Sequence, residues 1–189
     1  MDTVNTDAFS IAQMQSKLWL VERLEKVLEE NHEFNDKYRV WILAGWYGLT
    51  NLLLRVRNKL PIMEIRSFDI DPTCEPIADT INNLWVYRGW EFKAVTGDIN
   101  TLEYNPRPDV VINSSCEHMK ENDWWNNIPT GTIVCLQGSD MEDPDHWNPI
   151  KDSNGLMNLY PMQELWYEGI KRFEFEDKSF YRSMVIGVK

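Results

Sequence analysis

Five short strand-like segments are spaced along the chain. They are Arg39-Val40-Trp41-Ile42-Leu43-Ala44, Glu64 to Asp69, Glu91 to Val95, Asp109 to Asn113 and Gly131 to Leu136. The first is a nearly continuous apolar run, as expected of a strand covered on both faces, which is the situation of a parallel sheet between helices. The intervening segments have helical composition. Leu49 to Arg57 follows the first run. Asp71-Pro72, an N-cap with proline at the first helical position, opens a helix predicted to reach Trp85 with Ile77, Ile81 and Leu84 on one face. A polar, Trp-bearing helix is expected over Glu121 to Asn126. Upstream, Ile11, Met14, Leu18, Val21, Leu24 and Leu28 mark an amphipathic helix of about 20 residues starting near Ser10, and Asn31 to Asp36 breaks it. Downstream, residues 138–160 read as a long loop or lid. Pro161 is expected to open a last helix through Glu168, and Phe173 to Glu176 with Tyr181 to Val188 to form a closing strand pair. The prediction is a three-layer α/β sandwich with a mostly parallel sheet and a terminal antiparallel pair. The helix within residues 1–36 packs on a single domain formed by residues 37–189.

Composition narrows the function classes. With 189 residues, 43% apolar and 26% charged, the chain reads as soluble and globular. Its net charge of −11 disfavours a nucleic-acid partner, which needs a basic surface to meet phosphates. Only residues 37–63 run the other way, with five bases and no acid. There Arg55-Val56-Arg57-Asn58-Lys59 places cations at a helix C-terminus, where the dipole favours them. No apolar run approaches the ~18 residues needed to span a bilayer, and Met1-Asp2-Thr3 does not begin a secretion signal. Cys74, Cys116 and Cys135 are odd in number and lack a CxxC, so neither a disulfide framework nor a zinc knuckle is expected. A cytoplasmic location is the simplest expectation.

In an open parallel sheet, ligands gather at the carboxyl ends of the strands. The first run ends in Gly45-Trp46-Tyr47-Gly48, a tight turn where backbone can approach a ligand. The second ends in Asp69, where a bare carboxylate at the end of a buried strand calls for a partner. The third is followed by Gly97-Asp98, and the fourth by Asn113-Ser114-Ser115-Cys116-Glu117-His118.

This series resembles the class I S-adenosylmethionine (SAM)-dependent methyltransferases over roughly residues 39–137. The resemblance implies a Rossmann-like methyltransferase sheet and SAM as cofactor. It assigns Gly45, Trp46 and Gly48 to the turn near the methionine part of SAM, Asp69 to the ribose, Asp98 to the adenine amine, and Asn113 to the end of the fourth strand beside the cofactor. Glu117-His118 stands at the family's frequent Glu-His pair and is expected nearest the reacting group, with His118 as general base. The turn departs from the family: Leu43 or Ala44 replaces the usual acid, and Trp46 and Tyr47 bring bulk. Those rings either wall the cofactor pocket or fill it. Ser114 stands where an E-x-x-E-H metal-binding pattern has its first acid, so Glu117 and His118 alone make an incomplete set and no metal is expected.

The base-amino and cytosine-C5 methyltransferase motifs are missing, so the expected acceptor is a small molecule. Trp124-Trp125 and the lid residues His146 and Trp147 are candidates for shaping its pocket. The alternative is a non-catalytic scaffold or binding protein with an occluded cofactor site, or a different chemistry on SAM or a nucleotide.

Overall fold

The structure is a computed structural model that describes residues 4–31, 37–175 and 178–189. Readings that touch residues 1–3, the break over 32–36 and Glu176 lie outside the described residues.

Among the described residues, seven strands form one sheet: β1 (Tyr38–Leu43), β2 (Ile62–Asp69), β3 (Phe92–Thr96), β4 (Val110–Asn113), β5 (Ile133–Ser139), β6 (Glu164–Phe175) and β7 (Lys178–Val188). Their order is β3-β2-β1-β4-β5-β7-β6. The first five are parallel, while β7 runs antiparallel to both β5 and β6. The chain winds outward from β1 to β3 and then returns to the other side of β1. The carboxyl ends of β1 and β4 therefore flank the crevice where strand order reverses.

The two faces of β1 show why it carries a continuous apolar run. Val40 and Ile42 pack with Leu20, Leu24 and Leu28 of α1 (Ile11–Asn31), Leu54 of α2 (Leu49–Arg57) and Ala78 of α3 (Cys74–Ile81). Trp41 and Leu43 face the opposite layer. There, between α4 (Asn83–Tyr87) and the end of the chain, α5 (Asp123–Asn127) supplies Trp124 and Trp125, and α6 (Ser153–Leu159) supplies Leu156. The three-layer α/β sandwich with a mostly parallel sheet is as expected.

Four local expectations are corrected. Residues 161–168 do not form a helix; from Glu164 they belong to β6, a 12-residue strand paired along β7. Trp166, Tyr167, Ile170 and Phe173 favour a strand, and pairing with a distant segment decides the matter. The stretch 138–160 is not all loop, because β5 continues to Ser139 and Asp152 caps α6 by accepting the Gly155 N–H at 2.8 Å. The helix expected to reach Trp85 divides at Asn82. Its buried amide donates to the carbonyls of Ala78 and Gly48 and accepts from Asn51, tying α2 to α3. Leu84 beyond the break is exposed. Finally, Ile11 and Met14 at the start of α1 are exposed, whereas Ser16 and Lys17 are buried. That end of the helix overhangs the carboxyl end of the sheet, where Ser16 Oγ donates to Gln137 Oε1 of β5 at 2.8 Å.

Candidate active site at the carboxyl ends of the strands

The turn after β1 is held from β2. Gly45 N–H donates to the Phe68 carbonyl at 2.9 Å, and Trp46 N–H donates to Asp69 Oδ2 at 2.8 Å. A Cβ at Gly45 would run into Ser67 Oγ, so glycine is required for this close approach. Gly48, at φ 73°, starts α2 in the left-handed region. Ala44 and Trp46 also have positive φ, at 50° and 49°, which is strained for residues with a Cβ.

Asp69 accepts a second main-chain N–H, from Asp71 on Oδ1 at 3.1 Å. The Ile70 main-chain N–H and the Cys74 thiol also approach the Asp69 carboxylate. Burial raises its pKa above the ordinary carboxylate range, against the pull of these hydrogen bonds. Asp71 itself is exposed and turns to Thr73 N and Oγ1, a local turn ahead of α3. At the end of β3, Asp98 accepts from Asn100 N and Nδ2. Both bonds land on Oδ1, leaving Oδ2 for a ligand.

These acids share one cavity of about 320 Å³. Its wall runs from Ala44, Asp69 and Ile70 through Asp98, Ile99 and Asn100 to His118, Met119, Lys120 and Glu121. The structure thus brings Asp69, Asp98 and His118 together. Gly45, Trp46, Gly48 and Asn113 are not among the lining residues. Asn113 is buried at the end of β4, where Oδ1 accepts the Ser115 N–H at 2.9 Å. Trp46 and Tyr47 turn away from the cavity, into a cluster with Ala8, Cys74, Ile77 and Ile81. Phe9 stacks on Tyr47 with ring centres 6.2 Å apart. Trp124 and Trp125 are core residues packed on Tyr160, so they do not line the cavity.

Behind His118 lies a buried charged group that spans three elements. Glu117 is 1% exposed and its Oε1 lies 3.4 Å from Arg182 Nη1 of β7. Arg182 also donates to the Ser114 carbonyl at 3.2 Å. Lys17 of α1, 7% exposed, donates to Gln13 at 2.5 Å. Its pKa is lowered to about 7, first by burial and then by the Arg182 charge. Lys17 and Arg182 escape a sequence reading because each is a lone cation in a mixed stretch, with no motif to mark it. Cys116 is fully buried and burial holds its thiol well above the ordinary range, so it is a packing residue.

The loop after β5 is stitched to this corner. Asn148 donates its N–H to the Glu117 carbonyl at 3.0 Å and its side-chain amide to the Met119 carbonyl. His118 Nδ1 lies 3.1 Å from the Asp145 carbonyl, and His146 Nδ1 lies 2.6 Å from the Met141 carbonyl. The two imidazoles meet edge to face with centres 4.5 Å apart.

Elsewhere, the three arginines of the basic segment meet acids. Arg57 pairs with Glu25 and Glu22, Arg55 with Glu91, and Arg39 with Glu64. Two larger surface hollows, of about 670 and 720 Å³, lie among such charges around Arg55 and Glu25. Neither gathers the strand-end residues on which chemistry here depends. Among the described residues, no helix is long and apolar enough to cross a membrane.

No protein-family model and no curated protein sequence matches this chain. Solved structures do. Magnesium protoporphyrin IX methyltransferase from Synechocystis PCC 6803, with bound S-adenosylhomocysteine (SAH), superposes with a TM-score of 0.69 at 12% identity, covering 100% of this chain and 89% of that one. The CurJ carbon methyltransferase gives 0.63 at 13%, covering 94% of this chain and 55% of that one. The [4+2]-cyclase SpnF gives 0.59 at 13%, covering 87% and 80%. The chain has the class I methyltransferase fold.

Proposed function

We propose that this chain is a SAM-dependent methyltransferase acting on a small-molecule acceptor. The observation that carries this reading is the one cavity whose wall holds Asp69, Asp98 and His118. The Asp69 carboxylate offers acceptor oxygens for ribose hydroxyls, and Asp98 Oδ2 offers one for an exocyclic amine. Of the turn after β1, Ala44 stands on the cavity wall, and the Trp46 and Tyr47 rings pack elsewhere. That packing favours an open cofactor site over an occluded one. Bound SAM supplies the electrophilic methyl group. The protein's share is then to hold the acceptor in line and to take its proton. His118, exposed on the cavity wall, is the group placed to do so, with Glu117 behind it as a positioning residue. The acid partners of Arg39, Arg55 and Arg57 support a small acceptor over a nucleic acid.

SAH release from SAM in the presence of small hydroxyl, amine and carboxylate acceptors tests the reading. A turnover that falls about 10²–10⁴-fold in His118→Gln, at unchanged SAH affinity, supports it. Tight SAH binding with no transfer to any acceptor class points instead to a binding protein or to another chemistry on this fold.

A further inference from the structure

Among the described residues, Glu117, His118 and His146 form a group in which one donor atom from each lies within 4.8 Å of the others. Their remaining contacts define what those atoms offer. A main-chain carbonyl only accepts, so the contacts with Asp145 and Met141 place a proton on Nδ1 of both histidines. Each neutral ring then carries its lone pair on Nε2. This is how metal-bound histidines are oriented, with the other ring N–H given to a carbonyl or carboxylate. Glu117 adds an independent sign. Its Oε1 faces Arg182, while Oε2 is buried without a hydrogen-bond partner. A carboxylate oxygen so placed is costly unless a cation reaches it.

From this geometry we infer that Glu117, His118 and His146 bind one divalent transition-metal ion at the edge of the cofactor cavity. Two imidazoles and one carboxylate suit zinc, cobalt, iron or manganese better than magnesium or calcium, which prefer oxygen-only shells. The Arg182 charge, which offsets that of Glu117, adds to this preference. The spacing is wider than the ~3.3 Å between neighbours in a tetrahedral shell with bonds near 2.0 Å. Binding would draw the three side chains closer around the ion. Asp140, Glu142, Asp143 and Asp145 precede His146 on the same loop and give the approach a negative field. The ion ties that loop to the segment after β4, and with it bound His118 serves as a ligand. On the methyl-transfer reading, lowering the acceptor's pKa then passes from the imidazole to the ion's charge. Metal binding itself does not depend on that reading.

The test is titration of the full chain with Co²⁺, followed by visible absorption, and with Zn²⁺, followed by calorimetry. The expected result is one equivalent bound, with d–d bands of a nitrogen- and oxygen-ligated site. His146→Gln and His118→Gln should each weaken binding by roughly a hundredfold or more. Both side chains are at least partly exposed, and circular dichroism melting checks that the variants fold. Absence of saturable binding overturns the inference, and so does binding that either variant leaves unchanged. Cobalt binding without SAH binding removes the methyltransferase reading and leaves the metal site. The reverse removes only the metal site.

Discussion

Asp69 Oδ2 accepts the Trp46 backbone N–H at 2.8 Å, so the acid on the cavity wall also fixes the turn after β1. Burial nevertheless raises its pKa in the folded state. For an acid with a raised folded pKa, the stabilising contribution is present below the unfolded pKa and is lost as pH rises through the folded one. At pH 7 the raised pKa of this carboxyl therefore counts against the fold. Asp69→Asn keeps an acceptor for Trp46 and releases the exposed Asp71 N–H to water. It is expected to melt no lower than the wild type at pH 7, and any advantage should vanish as the pH falls below the carboxylate range. Thermal melts of both proteins from pH 3 to pH 7 check this.

Lys17 gives a slope at the other end of the pH scale. Its folded pKa is about 7 against an ordinary value of 10.5, because burial and Arg182 disfavour the charge. Between those values the unfolded chain binds the proton and the folded chain does not, so stability rises with pH across that window. Lys17→Met should remove that rise and stabilise the protein most at pH 7 and below, by a few kcal/mol. Urea unfolding of both proteins at pH 6, 8 and 10 measures the difference.

Ala44 and Trp46 separate the wall of the cavity from its surroundings. Ala44 lines it, while Trp46 packs toward Tyr47 and α3. Trp46→Ala is expected to lower stability by about 1–3 kcal/mol, through lost packing of a half-buried ring, and to leave SAH affinity within a few-fold. Ala44→Leu places bulk in the cavity and should lower SAH affinity roughly tenfold or more, equal to about 1.4 kcal/mol. Equal losses for the two variants would place the Trp46 ring against the ligand after all.

The parts of the fold that could be read from the sequence are those whose signal is local. Val40 to Leu43 and Val110 to Ile112 are apolar on both faces, and the Asp69 and Asp98 positions follow from where such runs end. Residues 164–168 were opaque because β6 exists only through its pairing with β7, a contact no local pattern encodes. The first turns of α1 misled for a related reason. Ile11 and Met14 continue the apolar rhythm, yet the helix there faces the polar Gln137 rather than the core. The site was half legible. His118 could be found beside Glu117, but His146 reaches it only through the path of the loop after β5. Arg182 and Lys17 arrive from opposite ends of the chain. The sequence leaves Trp46 and Tyr47 either walling or filling the pocket, because nothing local shows that the segment around Phe9 draws them away from the cavity.

Calorimetric titration of the full chain with SAH, repeated for Asp69→Ala and Asp98→Ala, tests the central claim most directly. The wild type is predicted to bind one equivalent, and each variant to lose affinity by roughly tenfold or more, since each removes a hydrogen-bonding acid from the cavity wall. No heat at millimolar SAH, or binding that Asp69→Ala leaves unchanged, would contradict the assignment of this cavity as the cofactor site.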